Sequence, residues 1–127
     1  MSRFNKDNIK ELKEHIYNSY AHDAKIENIG YKCGDDSLKI ELYNPIFKVK
    51  IELTFHSIGV ALAVKGEWDG NREIILSLTV EENFSYLQTY LPNYREYNGN
   101  SLYLLFQMFS GDELHIVSKE ITVEIIR

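Results

Sequence analysis

The chain has 127 residues, a net charge of −5 and a pI of about 5.3, and 44% of its residues are apolar. A chain of this length forms one domain whose core needs no disulfide, and its apolar content excludes a disordered protein. The acidic balance disfavours a phosphate backbone or an anionic membrane surface as a partner, so we expect neither nucleic-acid nor membrane binding.

The cysteine count and the first residues predict the compartment. The single cysteine, Cys33, excludes an intramolecular disulfide and favours a reducing environment. No apolar segment typical of a signal peptide follows the N-terminus, and no later apolar run is as long as a membrane span. We therefore expect a cytoplasmic protein.

Residues 6–21 have the periodicity of an amphipathic helix. Apolar residues recur every three or four positions and so share one face: Ile9, Leu12, Ile16 and Tyr20. Asn5 or Asp7 can cap the start of this helix through a side-chain oxygen. The apolar stripe is narrow, which favours a helix that lies against a sheet over one inside a helical bundle.

Between residues 24 and 82 the pattern changes to alternation of apolar and polar residues, which predicts β-strands with one buried face. The strands are predicted near residues 24–32, 38–43, 47–55, 60–64 and 74–80. Ser57–Gly59 is interpreted as a turn, and Ala61 and Ala63 suggest that the strand after it is covered on both faces. In the last of these strands the alternation assigns four residues to one face: Ile74, Leu76, Leu78 and Val80.

Alternation returns over residues 101–126, which predicts two further strands around a hairpin turn at Ser110–Asp112. Here His115 is expected to face outward between Leu114 and Ile116. Consecutive strands have short connections, so their pairing should be mainly antiparallel. We predict a single α+β domain over residues 1–127, with the N-terminal helix packed on a mainly antiparallel, strongly curved β-sheet of about seven strands. A homodimer through an outer strand is compatible with this fold.

The irregular segment 83–100 is rich in tyrosine, and tyrosine and arginine are enriched at protein interfaces. The residues predicted to form an interface are Tyr86, Tyr90, Tyr94, Arg95 and Tyr97, together with Trp68 in the turn at 66–71. Of these, Tyr94 and Tyr97 are expected to be exposed. Packing of the rings on the sheet is an equal alternative, because Phe84, Leu87 and Leu91 have the spacing of a short helical turn.

The sequence lacks the spacings of common metal and nucleophilic sites. Its four histidines fit no zinc motif, and it has neither a Gly-x-Ser-x-Gly elbow nor a glycine-rich phosphate loop. A metal site formed by His22, Asp23 and His56 is the remaining alternative. The simpler interpretation is that His22 binds the last helical carbonyls and Asp23 caps a turn. We expect a non-enzymatic protein-binding module without a cofactor.

The junction His22–Ile29, followed by the alternating segments Leu38–Leu42 and Ile51–Phe55, resembles a pattern in small uncharacterised bacterial β-rich domains. Some of these look like immunity proteins of polymorphic toxin systems, and the similarity covers roughly residues 20–60. The resemblance implies a small cytoplasmic protein that blocks one protein partner, and it assigns no functional residue. A net charge of −5 would suit a basic nuclease toxin. The alternative function is a small-molecule-binding β domain with an apolar pocket.

Overall fold

The computed structural model describes residues 2–64, 74–94 and 100–127. Within these residues it has two α-helices and seven strands in one sheet, in which every neighbouring pair is antiparallel. The strands are β1 (Ser2–Phe4), β2 (Lys25–Lys32), β3 (Ser37–Asn44), β4 (Val49–Val64), β5 (Ile75–Glu81), β6 (Leu102–Met108) and β7 (Glu113–Ile126), and the helices are α1 (Ile9–Tyr17) and α2 (Ser85–Tyr90). The predicted α+β fold with a mainly antiparallel sheet is confirmed.

The sheet is built around the pairing of its two longest strands, β4 with 16 residues and β7 with 14. Their register runs from Lys50 opposite Ile126 to Val64 opposite Glu113. Strand β3 pairs with the first half of β4, and β2 follows it. Strand β6 pairs with the first half of β7, and β5 follows it. The resulting order is β2-β3-β4-β7-β6-β5, with β1 on the second half of β7.

The turn predicted at Ser57–Gly59 is wrong, because β4 continues through it as one strand. Ser57 has a left-handed φ of 56°, and the register with β7 shifts between Ile58 and Val60. This irregularity is a β-bulge, which bends a strand without ending it. The residue types that permit a turn also permit a bulge, so the sequence alone did not distinguish them.

The two outer strands, β2 and β5, meet at one isolated antiparallel bridge between Lys25 and Ile74. The Asp23 amide donates to the Ile75 carbonyl at 2.9 Å, and the Ile75 amide donates to the Ala24 carbonyl at 2.9 Å. We call this contact the corner bridge. The sheet is not closed into a barrel, and the strong curvature expected for it stays a prediction.

Helix α1 covers one face of the sheet through Leu12 and Ile16, and a 3₁₀ turn capped by Asn5 precedes it. It ends at Tyr17, four residues earlier than predicted, and Tyr20 beyond it has a left-handed φ of 64°. The main core under α1 collects apolar side chains from both ends of the sheet. They include Leu12, Ile16, Ile40, Ile51, Leu53, Phe55, Ile75, Phe106, Ile116 and Val123.

At the start of β5, the face that was predicted to be buried is exposed, and the other face is buried. Ile75 is fully buried, whereas Ile74 and Leu76 are exposed. The register with β6 shifts after Ile75, which explains why Val80 nevertheless points inward as predicted. Ala61 and Ala63 in β4 are also exposed and not covered on both faces.

A second, smaller core lies on the opposite face of the sheet, over β6 and the first half of β7. Its buried residues are Phe84, Leu87, Tyr103, Leu105 and Val117, with Val60, Leu62, Leu91 and Tyr94 partly buried around them. The short helical turn predicted in this segment is confirmed as α2. Because this layer covers the outer face, His115 is fully buried and the outward position predicted for it is wrong.

The loop after α1 is held to the turn between β3 and β4 by one buried side chain, that of Asn44, which is 1% exposed. Its amide nitrogen donates to the carbonyls of Tyr20 at 2.9 Å and His22 at 3.3 Å. Its amide oxygen accepts from the backbone nitrogens of Ile46 at 2.9 Å and Phe47 at 3.2 Å. All four partners are backbone groups, so the side chain fixes the course of two loops at once.

We expect Asn44→Ala to lower the free energy of unfolding by about 2 kcal/mol, because buried backbone groups lose their partners. The measurement is urea denaturation followed by circular dichroism. Asn93→Ala, at an exposed position, is the control and should change stability by less than about 0.5 kcal/mol. Equal stability of the two variants would show that Asn44 does not hold these loops.

Candidate functional site

Two of the tyrosines predicted to form an interface, Tyr86 and Tyr90, lie on α2 above a buried carboxylate of β7. That carboxylate belongs to Glu113, which is 8% exposed, and beside it lies the fully buried His115. Tyr103 of β6 completes the group from below. We call these five residues the tyrosine–glutamate cluster.

The hydrogen bonds of the tyrosine–glutamate cluster form one continuous chain. The hydroxyls of Tyr86 and Tyr90 donate to the two carboxylate oxygens of Glu113, the second at 3.2 Å. The Nε2 of His115 lies 3.2 Å from the Glu113 Oε1, and its Nδ1 lies 2.6 Å from the Tyr103 hydroxyl. One assignment of protons satisfies every contact: Tyr103 donates to Nδ1 of a neutral imidazole, whose Nε2–H donates to Glu113.

The electrostatics of the cluster favour a stable carboxylate and neutral phenols. Burial raises the pKa of Glu113, but hydrogen bonds from Tyr86, His115 and Tyr90 together lower it below its usual value. The hydrogen bond to Glu113 in turn raises the pKa of Tyr86, and burial raises the pKa of Tyr103. A tyrosinate nucleophile or base is therefore disfavoured. Tyr103 and His115 are also fully buried, so this arrangement anchors α2 and is not accessible to a substrate.

The residues predicted to form an interface differ in their exposure to solvent. The rings of Tyr86 and Tyr90 are 40% and 39% exposed, although their hydroxyls bind Glu113. Tyr94 is partly buried and stacks on Phe84 with ring centroids 6.2 Å apart, so the expectation that it is exposed is wrong. The other three predicted positions lie outside the described residues: Trp68, Arg95 and Tyr97.

The residues of the metal-site alternative make separate contacts. The Nδ1 of His22 bonds to the carbonyl oxygen of Leu76 in β5, so it does not bind the helical carbonyls as predicted. Its Nε2 lies 3.6 Å from the Asp23 carboxylate. The Nε2 of His56, within β4, lies 3.0 Å from the Thr122 hydroxyl. In residues 2–64, 74–94 and 100–127 no three histidine, cysteine or acidic side chains are grouped to hold a metal ion.

A surface that the sequence did not predict surrounds His22 at the end of the molecule near the corner bridge. It consists of large apolar side chains that are between 37% and 68% exposed. These residues, which we call the apolar patch, are Tyr20, Ile46, Phe47, Ile74, Leu76 and Phe109. They come from four separate segments, so the patch forms only in the folded chain. An exposed apolar cluster of this kind is typical of an interaction surface.

The backbone under the apolar patch is fixed by local contacts. The rings of Tyr20 and Phe47 lie 4.5 Å apart, and the His22 ring lies 6.5 Å from that of Phe109. Two further residues at this end, Asp23 and Lys48, share the left-handed backbone of Tyr20, with φ values of 69° and 56°. Such conformations are uncommon outside glycine and persist only where the surrounding structure imposes them. The patch therefore has a defined shape.

Three positive charges lie beside the apolar patch, although the whole chain is acidic and the Asp23 carboxylate lies 3.6 Å from His22. Lys25 is opposite Ile74 in the corner bridge, and Lys48 follows Phe47 in sequence. The guanidinium of Arg127 lies 5.4 Å from the centre of the Tyr20 ring. These three side chains form a basic rim.

The periodicity of the sequence predicted that most of the residues of the apolar patch belong to buried faces of a helix and of strands. Tyr20 had the phase of the helical stripe, and Phe47, Ile74 and Leu76 had the phase of buried strand residues. They are exposed because α1 ends before Tyr20, β4 begins after Phe47, and β5 starts with the opposite phase. The signal that would have found the patch is the position of element ends, which periodicity predicts poorly.

No protein-family model matches this chain, and no curated protein matches it. Among the described residues, no helix is both long enough and apolar enough to cross a membrane. The candidate site residues are therefore identified from the geometry of this chain alone.

The lowered pKa of Glu113 predicts a pH dependence of stability. Because the pKa lies below its ordinary value of 4.5 in the folded chain, the carboxylate stabilises the fold above pH 4.5 and loses this effect as the pH falls through the lowered pKa. We expect Glu113→Gln to cost about 1–3 kcal/mol at pH 7 and to show a shallower loss of stability towards acid. Urea denaturation at several pH values measures both.

The control for this prediction is Glu27→Gln, because Glu27 is exposed on β2. This variant should retain the acid dependence of the wild-type protein. If Glu113→Gln and the wild-type chain lose stability in parallel below pH 4.5, the hydrogen bonds to Glu113 do not stabilise its ionised form.

Proposed function

We propose that this chain is a non-enzymatic protein-binding module and that it binds its partner through the apolar patch. The observation that carries the proposal is the group of six exposed apolar side chains around His22. The Asn44 side chain holds the loop of Tyr20 and the turn of Ile46 and Phe47, and Leu76 lies within β5. Exposed aromatic anchors in a fixed arrangement are the usual centres of protein interfaces. A second interface at the exposed rings of Tyr86 and Tyr90 is compatible with the same function.

The positive charge of the basic rim is complementary to a partner that has acidic groups around an apolar centre. The total charge of −5 favours a basic partner, whereas the local charges of Lys25, Lys48 and Arg127 favour an acidic one. At physiological ionic strength charges are screened over about 8 Å, so the local charges determine complementarity at a contact. The three positive side chains outnumber the Asp23 carboxylate at the patch, so the local charge favours an acidic partner.

The resemblance to bacterial immunity domains refines the proposal. On this reading the partner is a toxin, and the chain neutralises it by covering a surface that the toxin needs. Such a mechanism requires no chemistry from the chain, in agreement with the raised pKa values of Tyr86 and Tyr103, which keep these phenols protonated.

We expect Phe47→Asp to weaken partner binding strongly, because it replaces an exposed aromatic ring of the patch with a charge. The protein and its variants are used to capture partners from extracts of the source cells, and the captured protein is then purified and titrated. Loss of one aromatic anchor should weaken Kd by at least about 30-fold, corresponding to roughly 2 kcal/mol.

The matched control is Tyr31→Asp, because Tyr31 and Phe47 are both 57% exposed but Tyr31 lies outside the patch. It should bind like the wild-type chain, and both variants should unfold at the wild-type urea concentration. Unchanged binding by Phe47→Asp would exclude the patch. If Tyr90→Ala alone then lost binding, the interface would lie on α2.

The toxin-specific part has its own test. If a large reading frame next to the gene for this chain kills cells when expressed alone, co-expression of the wild-type chain should restore growth. Phe47→Asp should fail to restore it at equal protein levels. Rescue by neither protein would contradict the immunity assignment and leave the partner to be found among the captured proteins.

A further inference from the structure

Gly30 occupies a position in the middle of β2 that has no structural need of a glycine. A Cβ atom built on Gly30 would meet no other heavy atom within 4 Å. Its backbone is not left-handed either, since Gly111 is the glycine with positive φ among the described residues. Glycine weakens a strand interior and often marks a place where another molecule approaches the backbone.

A groove of about 400 Å³ lies beside Gly30 on the outer face of β2, β3 and β4, where glycine has no side chain to fill it. Gly30 is opposite Lys39, which is opposite Thr54 on the next strand. One step along the strands, Lys32 is opposite Ser37, and Ser37 is opposite His56. All six residues line the groove, whose volume is in the range of small-ligand sites.

The lining of the groove is rich in hydrogen-bond donors and positive charge. Lys32 and Lys39 supply ammonium groups, and Ser37 and Thr54 supply hydroxyls. Asp35 is the one carboxylate among the residues that line it. A ligand that complements this set is an anion with several acceptor oxygens.

Two of the lining side chains, those of Lys39 and His56, are held by neighbours outside the groove. Lys39 lies 3.4 Å from the Glu41 carboxylate and 3.5 Å from that of Glu52. The two carboxylates are only 24% and 16% exposed, whereas the Lys39 side chain is 46% exposed. An ammonium group has three donors, so one remains for a ligand oxygen while the two ion pairs persist. His56 is held through the Thr122 hydroxyl at 3.0 Å, which fixes its ring at the edge of the groove.

We propose that this groove binds a small molecule through a phosphate group, with Lys32, Lys39 and His56 around the anion and Gly30 giving it access to the sheet. A phosphate dianion matches two ammonium groups and two hydroxyls better than a monoanionic carboxylate does. The groove shares no lining residue with the apolar patch or its rim, so this site does not depend on the proposed protein-binding function.

The test is a titration of the ¹⁵N-labelled protein with sodium phosphate at pH 7.5 and constant ionic strength, followed by its amide resonances. We expect saturable shifts at Gly30, Lys39 and Thr54. Acetate and chloride serve as competing anions and should bind at least about tenfold more weakly, because they carry less charge and fewer acceptors. Equal binding of acetate and phosphate, or shifts that never saturate, would overturn the proposal.

Three variants locate the anion. Lys39→Ala should weaken phosphate binding by about tenfold, whereas Lys119→Ala, at an exposed position outside the groove, should change it by less than about twofold. Gly30→Leu should fill the groove and abolish binding while the remaining spectrum stays that of a folded protein. Retention of wild-type affinity in Lys39→Ala would place the anion elsewhere and refute the assignment.

Discussion

The pairing of β4 with β7 is the contact on which the rest of the fold depends. The β2–β3 pair is attached to one half of this long ladder, and the β5–β6 pair is attached to the other half on the opposite side. The main core draws side chains from both pairs, so it cannot form before the ladder does. Because β4 and β7 are far apart in sequence, the central event of folding is a long-range one, which is typical of slowly folding β proteins.

The second layer shows how a very short helix can be held in place. Helix α2 has six residues, fewer than a helix needs to be stable on its own. It is fixed by the fully buried Leu87 and by two tyrosine hydroxyls on one carboxylate. A buried carboxylate is tolerated there because both of its oxygens accept hydrogen bonds. The polar cluster thus gives the helix a single orientation that apolar packing alone would specify less strictly.

The sequence predicted the elements that have a long and regular period, and it failed where the outcome depended on distant residues. The alternation in Leu38–Leu42 correctly assigned the buried face, since that face has one environment along its length. In Leu102–Met108 it found the residues of the main core but missed that Tyr103 and Leu105, on the other face, are buried as well. His115 was misplaced because the layer that buries it comes from another part of the chain. The continuous β4 was divided in two because the signature of a bulge resembles that of a turn.

The surfaces for which a function is proposed also depend on residues that are distant in sequence. A tyrosine-rich segment is visible in the sequence, but the sequence could not tell that Glu113 would bind two of its hydroxyls. The apolar patch and the groove at Gly30 are both products of topology, because each is assembled from segments that are separate along the chain. Composition therefore suggested a binding function without locating the surfaces for which binding is proposed.

The corner bridge has a consequence for the behaviour of the protein at high concentration. Unpaired outer strands are templates on which further chains can add, and they are a common origin of aggregation. Here the backbone of Asp23 and Ala24, just before β2, pairs with Ile75 at the start of β5, and the imidazole of His22 bonds to the Leu76 carbonyl of β5. These contacts leave fewer free backbone groups on which a further strand could pair. They do so at the corner where the exposed apolar side chains would otherwise most favour aggregation.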